Sequence, residues 1–101
     1  MSVIINSNGV IRQVIDVKGH KHQTIVAIEE LSELQKELCK ALRGRDNHRE
    51  ILEETADAMI CLIQIREMYN IRDDELQKEI NEKLQRLEER LKNAGSDGHI
   101  R

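Results

Sequence analysis

The sequence predicts an all-α protein, an antiparallel bundle of about four helices that is completed by dimerisation or tetramerisation. Apolar residues recur at helical spacings of three and four in four segments, and no proline interrupts them. The connections are short, which makes consecutive helices antiparallel neighbours. The third segment is apolar nearly all round between Ala56 and Met68. Such a helix must be covered on every side, so we expect a second subunit to cover part of it.

End signals place the four helices along the chain. They are expected over roughly residues 7–18, 22–43, 47–69 and 72–93. Gly19 and Gly44 end the first two helices, and Asn47 with Glu50 has the spacing of a capping box at the start of the third. Asn8-Gly9 between apolar residues is also a β-hairpin signal, which leaves a hairpin open as an alternative for the first segment.

Length and composition limit the class of protein. A chain of 101 residues is expected to form a single domain, 1–101, with residues 1–6 and 95–101 frayed. Tyr69 is the only aromatic residue, so little apolar area can be buried per side chain and association is expected to complete the core. Cys39 and Cys61 stand alone at helical positions, which favours buried, reduced thiols over a disulfide or a metal site.

Charge and hydropathy indicate the surroundings and partners of the chain. A net charge of −3 argues against binding to nucleic acid. No apolar run reaches the roughly 18 residues of a membrane helix, so no membrane association is expected. The amino-terminal residues have neither a basic leader nor a small-residue cleavage site, and the cytoplasm is the expected location.

Two carboxylates lie at the head of the apolar third helix. Glu54 and Asp57 point along a face that continues through Ala58 and Cys61. A lone carboxylate on such a face costs several kcal/mol or takes up a proton. A basic partner, a solvated opening or a bound cation would offset this cost.

The second helix carries a matching acidic group, in the segment EELSE. Glu29, Glu30 and Glu33 fall on one flank of that helix. Antiparallel packing could bring Glu30 and Glu33 near Glu54 and Asp57, and four carboxylates form an oxygen cage that suits Mg²⁺ or Mn²⁺. Taken alone, the segment EELSE is also explained by a solvated helix face. The segment EETAD, residues 53–57, is also explained by acidic residues that complement the dipole of a helix.

These two motifs resemble the signature of the MazG-like all-α nucleoside triphosphate pyrophosphatases, in particular the short phage and prophage branch. That signature is E-E-x-x-E on one helix and E-x-x-D on the next, and the resemblance covers roughly residues 20–92. It implies a metal-dependent enzyme that cleaves a nucleoside triphosphate or deoxynucleoside triphosphate between the α and β phosphates, giving NMP and pyrophosphate. It also implies a homodimer or homotetramer.

The resemblance also implies the roles of individual residues. Glu30, Glu33, Glu54 and Asp57 would be Mg²⁺ ligands, and Glu29 would be an outer ligand or orient the attacking water. Lys83 and Arg86 would bind phosphate, although helical pairing with Glu79 and Glu82 explains them equally well. His22 and Gln23 are candidates for contact with the base or sugar. The alternative is that they are merely exposed residues near the start of a helix.

Two other functions remain open from the sequence. A phosphoribosyl-ATP pyrophosphatase would share the bundle and a related acidic pattern. A non-catalytic helical module for dimerisation or nucleotide binding would use the apolar third helix and the seam of the fourth. This seam consists of Leu76, Ile80, Leu84, Leu87 and Leu91. Such a module has no need for carboxylates on an apolar face. Many members of the family stack the base on an aromatic residue, and this chain has only Tyr69; Leu87 also replaces the second arginine of the family's basic run, so the substrate's base and sugar stay undetermined.

Overall fold

A computed structural model describes residues 3, 5, 6 and 9–94. Within them the chain forms four helices and no strand: α1 (Val10–Lys18), α2 (His20–Leu42), α3 (His48–Met68) and α4 (Asp73–Asn93). The all-α prediction and the order of the helices are confirmed. Gly9, with a φ of 81°, directly precedes α1. Because α1 begins at Val10, a helix rather than a hairpin follows Gly9. Fraying was expected at residues 1–6 and 95–101, of which residues 1, 2, 4 and 95–101 lie outside the described residues.

The chain divides into two compact units, Met1–Asn70 and Ile71–Arg101. The first unit contains α1, α2 and α3, and the second contains α4. The single domain expected from the length therefore stays a prediction. Across the described part of the chain, no helix combines the length and the hydropathy needed to span a bilayer.

Buried polar contacts at both ends hold α2 and α3 together in antiparallel orientation. At one end, Nε2 of Gln23 donates a hydrogen bond of 2.9 Å to Oε1 of Gln64. At the other, Nδ2 of Asn47 donates to both the carbonyl oxygen and Oε1 of Glu37, each at 2.9 Å. The start of α2 therefore packs against the end of α3. This places the middle of α2, with Glu30, opposite the first half of α3.

The apolar core of the first unit is small. Ile11 and Ile15 of α1 pack with Met68 of α3, and Ile63 and Ile65 pack at the edge of this cluster. The other buried apolar residues of α2 and α3 have short side chains: Ala27, Ala58 and Cys61. Short side chains allow two helices to approach closely, so a polar side chain between them has little room to reach water.

Two local predictions, the cap at Asn47 and the burial of Cys39, are wrong. Asn47 makes no side-chain cap for α3, since its amide binds Glu37 instead. Near the end of α2 the apolar residues Leu38 and Leu42 are exposed, Leu42 by 89%. Cys39 is exposed too, whereas Cys61 is buried; both are free thiols.

Helix α3 buries one face in the first unit and leaves apolar residues on either side of that face exposed. Its buried residues are Ala58, Cys61, Gln64 and Met68. Ile60 and Leu62 of the same helix are exposed. The single chain therefore covers only part of the apolar surface of this helix. The predicted second subunit is not part of the structure and stays a prediction.

Candidate metal centre

Three carboxylates from α2 and α3 converge where the two helices face each other. One carboxylate oxygen each from Glu30, Glu54 and Asp57 lies within 4.8 Å of the others. Glu30 and Glu54 are partly buried, and Asp57 is exposed. Glu54 and Asp57 are three residues apart and so share a face of α3, while the antiparallel pairing brings Glu30 to them from α2. The cluster has a buried side and a side open to solvent.

Glu54 lies on the buried side of this carboxylate cluster. Its Oε2 atom is buried and has no hydrogen-bond partner among the described residues. Burial raises the pKa of Glu54, and the negative charges of Asp57 and Glu33 raise it further. A buried carboxylate oxygen without a partner is costly, so a bound cation or a proton is needed to stabilise it.

Glu30 shows the same electrostatic conflict from the opposite helix. Desolvation raises the pKa of Glu30 above its ordinary value of 4.5, and the charges of Asp57 and Glu54 add to the shift. A hydrogen bond to Asp57 also favours the protonated form of Glu30. In the absence of a cation, the cluster therefore retains protons to higher pH than separate carboxylates would.

Cys61 lies one helical turn beyond Asp57 on the same face of α3. Burial raises the pKa of its thiol, with further contributions from Glu30 and Asp57. The thiol is thus kept protonated and is a poor ligand for a metal ion. The three carboxylates alone remain as ligands, and their oxygen atoms suit a hard cation such as Mg²⁺ or Mn²⁺.

Glu33 and Glu29 lie beside the three-carboxylate cluster. Glu33 is directed to Lys36, with 3.5 Å between Oε2 and Nζ, yet its charge still raises the pKa of Glu30 and Glu54. Glu29 is exposed on α2, next in sequence to Glu30. The structure therefore brings together three of the four predicted ligands and leaves Glu33 outside this group.

The predicted base or sugar contacts take part in the packing of the first unit. Gln23 is buried, and its Oε1 lies 2.8 Å from Nδ1 of His22 while its Nε2 donates to Gln64. His22 is exposed. Gln23 thus has a structural role that its sequence position did not indicate. A contact from either residue to a nucleotide stays a prediction.

The predicted phosphate ligands Lys83 and Arg86 lie on α4, in the second unit. Both side chains are exposed, as expected of groups that would meet an anionic ligand. Because α4 belongs to a separate unit, their role toward the carboxylate cluster remains a prediction from the sequence resemblance.

One polar group near the cluster was not predicted from the sequence. Glu37 accepts hydrogen bonds from Asn47 and from Nζ of Lys40, the latter at 2.9 Å. These contacts, Asn47 first and Lys40 second, lower the pKa of Glu37. Glu37 is therefore a charged anchor between α2 and the start of α3. The i,i+3 spacing of Glu37 and Lys40 was a signal for the ion pair, but no sequence feature indicated the contact with Asn47.

Comparisons of the chain with known protein families, with curated proteins and with solved structures give no match.

Proposed function

We propose that the protein is a Mg²⁺-dependent nucleotide pyrophosphohydrolase. It would cleave a nucleoside or deoxynucleoside triphosphate between the α and β phosphates, giving NMP and pyrophosphate. The main support is the cluster of Glu30, Glu54 and Asp57, in which a buried oxygen of Glu54 has no hydrogen-bond partner among the described residues. The resemblance of EELSE and EETAD to the MazG-like signature supplies the reaction.

The donor set fits a hard divalent cation. All three groups are carboxylates, and they approach one another from two helices. Glu30, Glu54 and Asp57 would hold the ion, and Glu33 would join them on leaving Lys36. A bound Mg²⁺ supplies charge neutralisation at the phosphate oxygens and makes water a better nucleophile. Mn²⁺ suits the same oxygen atoms.

The residues around the cluster have separate tasks in this proposal. Glu29 would orient the attacking water and accept its proton, because it is an exposed carboxylate next to Glu30. The resemblance assigns phosphate binding to Lys83 and Arg86, whose cationic groups suit phosphate oxygens. His22 would contact the base or sugar, and Gln23 would orient His22 through the bond to its Nδ1 atom.

Pyrophosphate release tests the proposal. Purified protein is incubated with each common NTP and dNTP, with dUTP and with phosphoribosyl-ATP, in Mg²⁺ or in EDTA. We expect Mg²⁺-dependent formation of pyrophosphate and NMP from at least one nucleotide. Release from phosphoribosyl-ATP alone would assign the protein to the related reaction of that substrate.

Two variants make the assay specific to the carboxylate cluster. Glu54→Gln removes one negative charge from the cluster and should abolish activity. Glu67→Gln makes the same chemical change on the same helix, at an exposed residue paired with Arg12, and should leave activity intact. Products NDP and phosphate would contradict cleavage between the α and β phosphates. Equal activity of Glu54→Gln and the parent protein would contradict the role of the cluster.

A further inference from the structure

A second charged feature of the first unit lies at the turn from α2 to α3. A pocket of about 410 Å³ opens there, lined by Lys40, Arg43, Gly44, Arg45 and Asp46. Three cations against one carboxylate give this turn pocket a positive surplus, although the whole chain carries a net charge of −3. An adjoining pocket of about 370 Å³ shares Lys40 and Arg43 and adds Lys36.

Backbone hydrogen bonds of the turn occupy carbonyl groups at the end of α2. The carboxyl end of a helix carries partial negative charge on its last carbonyl groups. Here the turn amides close on those carbonyls: Gly44 N donates to Ala41 O at 2.9 Å and Arg45 N to Lys40 O at 3.1 Å. Gly44 allows this with a φ of 91°, a conformation that other residues rarely adopt.

Ordinary helix stabilisation accounts for only part of this positive charge. Lys40 pairs with Glu37, and Lys36 pairs with Glu33, both at i,i+3 spacing. Arg43 is the residue after α2, and Arg45 lies two residues further on. Neither arginine forms an ion pair with any residue in the described part of the chain. Both arginines line the turn pocket, so an anion in it would meet two guanidinium groups that no carboxylate of the described residues neutralises.

We propose that the turn pocket binds the phosphate oxygens of a small phosphorylated ligand, at a site separate from the carboxylate cluster. The guanidinium groups of Arg43 and Arg45 match phosphate oxygens in pairs, and Lys40 adds a third cation. The pocket volume lies in the range of small-molecule sites. Arg43 is thirteen residues along α2 from Glu30, a rise of roughly 20 Å. Binding there therefore needs no metal ion in the cluster.

Calorimetric titration with inorganic pyrophosphate in EDTA tests this proposal on the full chain. The double variant Arg43→Gln/Arg45→Gln should bind pyrophosphate at least about tenfold more weakly, since two charge-assisted contacts are lost. Lys18→Gln/Lys21→Gln removes the same charge near the opposite end of α2 and should change the affinity by no more than about twofold. Circular dichroism checks that all variants stay helical.

The exposed thiol of Cys39 gives a local readout, because it lines the adjoining pocket with Lys40 and Arg43. Pyrophosphate should slow the reaction of Cys39 with anionic iodoacetate more than its reaction with neutral iodoacetamide. The bound anion removes the positive field that attracts iodoacetate. Equal rates with and without saturating pyrophosphate would place the ligand elsewhere and overturn the proposal.

Titrations with other ligands and with Glu54→Gln identify the ligand and distinguish this site from the proposed enzyme activity. Tighter binding of a nucleoside triphosphate than of pyrophosphate would identify nucleotide phosphates as the ligand, and equal binding would identify the free anion. Glu54→Gln should keep pyrophosphate binding, so this site stands or fails independently of hydrolysis. No saturable binding to the parent protein would overturn the proposal. Binding of a single-stranded oligonucleotide but not of pyrophosphate would also overturn it.

Discussion

Glu54 is the residue on which the electrostatics of the first unit depend most. Its Oε2 atom is buried without a hydrogen-bond partner among the described residues, and Asp57 and Glu33 raise its pKa further. A side chain in such a position destabilises a helical pair unless a proton or a cation neutralises it. By contrast, Glu37 is stabilised as an anion, because Asn47 and Lys40 both donate hydrogen bonds to it.

Substitution of Glu54 should separate stability from cation binding. We expect Glu54→Gln to raise the melting temperature in EDTA, because repulsion within the carboxylate cluster is relieved. Addition of Mg²⁺ should stabilise the parent protein and leave the variant unchanged. Thermal unfolding followed by circular dichroism measures both effects, with Glu67→Gln as the control. A lower melting temperature for Glu54→Gln in EDTA would argue against the repulsion.

The shifted carboxylates also predict how stability depends on pH. The pKa values of Glu30 and Glu54 are raised, so their protonation stabilises the folded state at low pH, and this contribution is lost as pH rises through the raised values. Metal-free protein should therefore lose stability as pH rises above the ordinary value of 4.5. Below the ordinary value of 4.5 the lowered pKa of Glu37 acts in the opposite direction.

Denaturant unfolding at a series of pH values in EDTA measures this dependence. Glu54→Gln should flatten this decline, because one of the two shifted groups is removed. Mg²⁺ should reverse the slope, since a cation displaces protons and binds more tightly as pH rises. A metal-free stability that rises steadily toward neutral pH would contradict the shifts assigned to Glu30 and Glu54.

At the scale of the helices, the α2–α3 pair depends on polar contacts at its two ends. Helical periodicity predicted which side chains share a face of one helix, and so placed Glu54 with Asp57 and Glu30 with Glu33. It could not predict the position of one helix along the other. The contacts Gln23–Gln64 and Asn47–Glu37 fix that position, and they bring Glu30 to Glu54.

The bond between Gln23 and Gln64 provides a test of this arrangement. Gln64→Ala leaves Nε2 of buried Gln23 without its partner, and should lower the free energy of unfolding by about 1–3 kcal/mol. The exposed Gln35→Ala should change it by no more than about 0.5 kcal/mol. Urea denaturation measures both values. Equal values for the two variants would show that the contact between the helices does not support the fold.

At the scale of the whole molecule, the chain leaves much apolar surface exposed. Ile28 is 63% exposed and Leu62 is 51% exposed, and the seam of α4 is exposed at Leu84 and Leu91. Composition predicted that one chain would bury too little apolar surface, since Tyr69 is the only aromatic residue. Which surfaces meet a second copy could not be predicted, because periodicity marks a face as apolar without specifying what covers it.

Association in solution is therefore expected and can be tested on α3. Analytical ultracentrifugation of the parent protein at micromolar concentration should give a dimer or a tetramer. Leu62→Glu places a charge at an exposed apolar position of α3 and should shift the protein toward the monomer. Gln35→Glu adds the same charge on α2 and should keep the oligomer. A monomeric parent protein would contradict the predicted association.

Direct measurement of cation binding tests the central claim, that Glu30, Glu54 and Asp57 form a metal centre. Free Mn²⁺ gives an electron paramagnetic resonance signal that bound Mn²⁺ largely loses, so a titration counts the bound ions. We predict saturable binding to the parent protein and to Glu67→Gln, competition by Mg²⁺, and loss of the site in Glu54→Gln. Absence of saturable binding to the parent protein, or unchanged binding to Glu54→Gln, would contradict the metal centre.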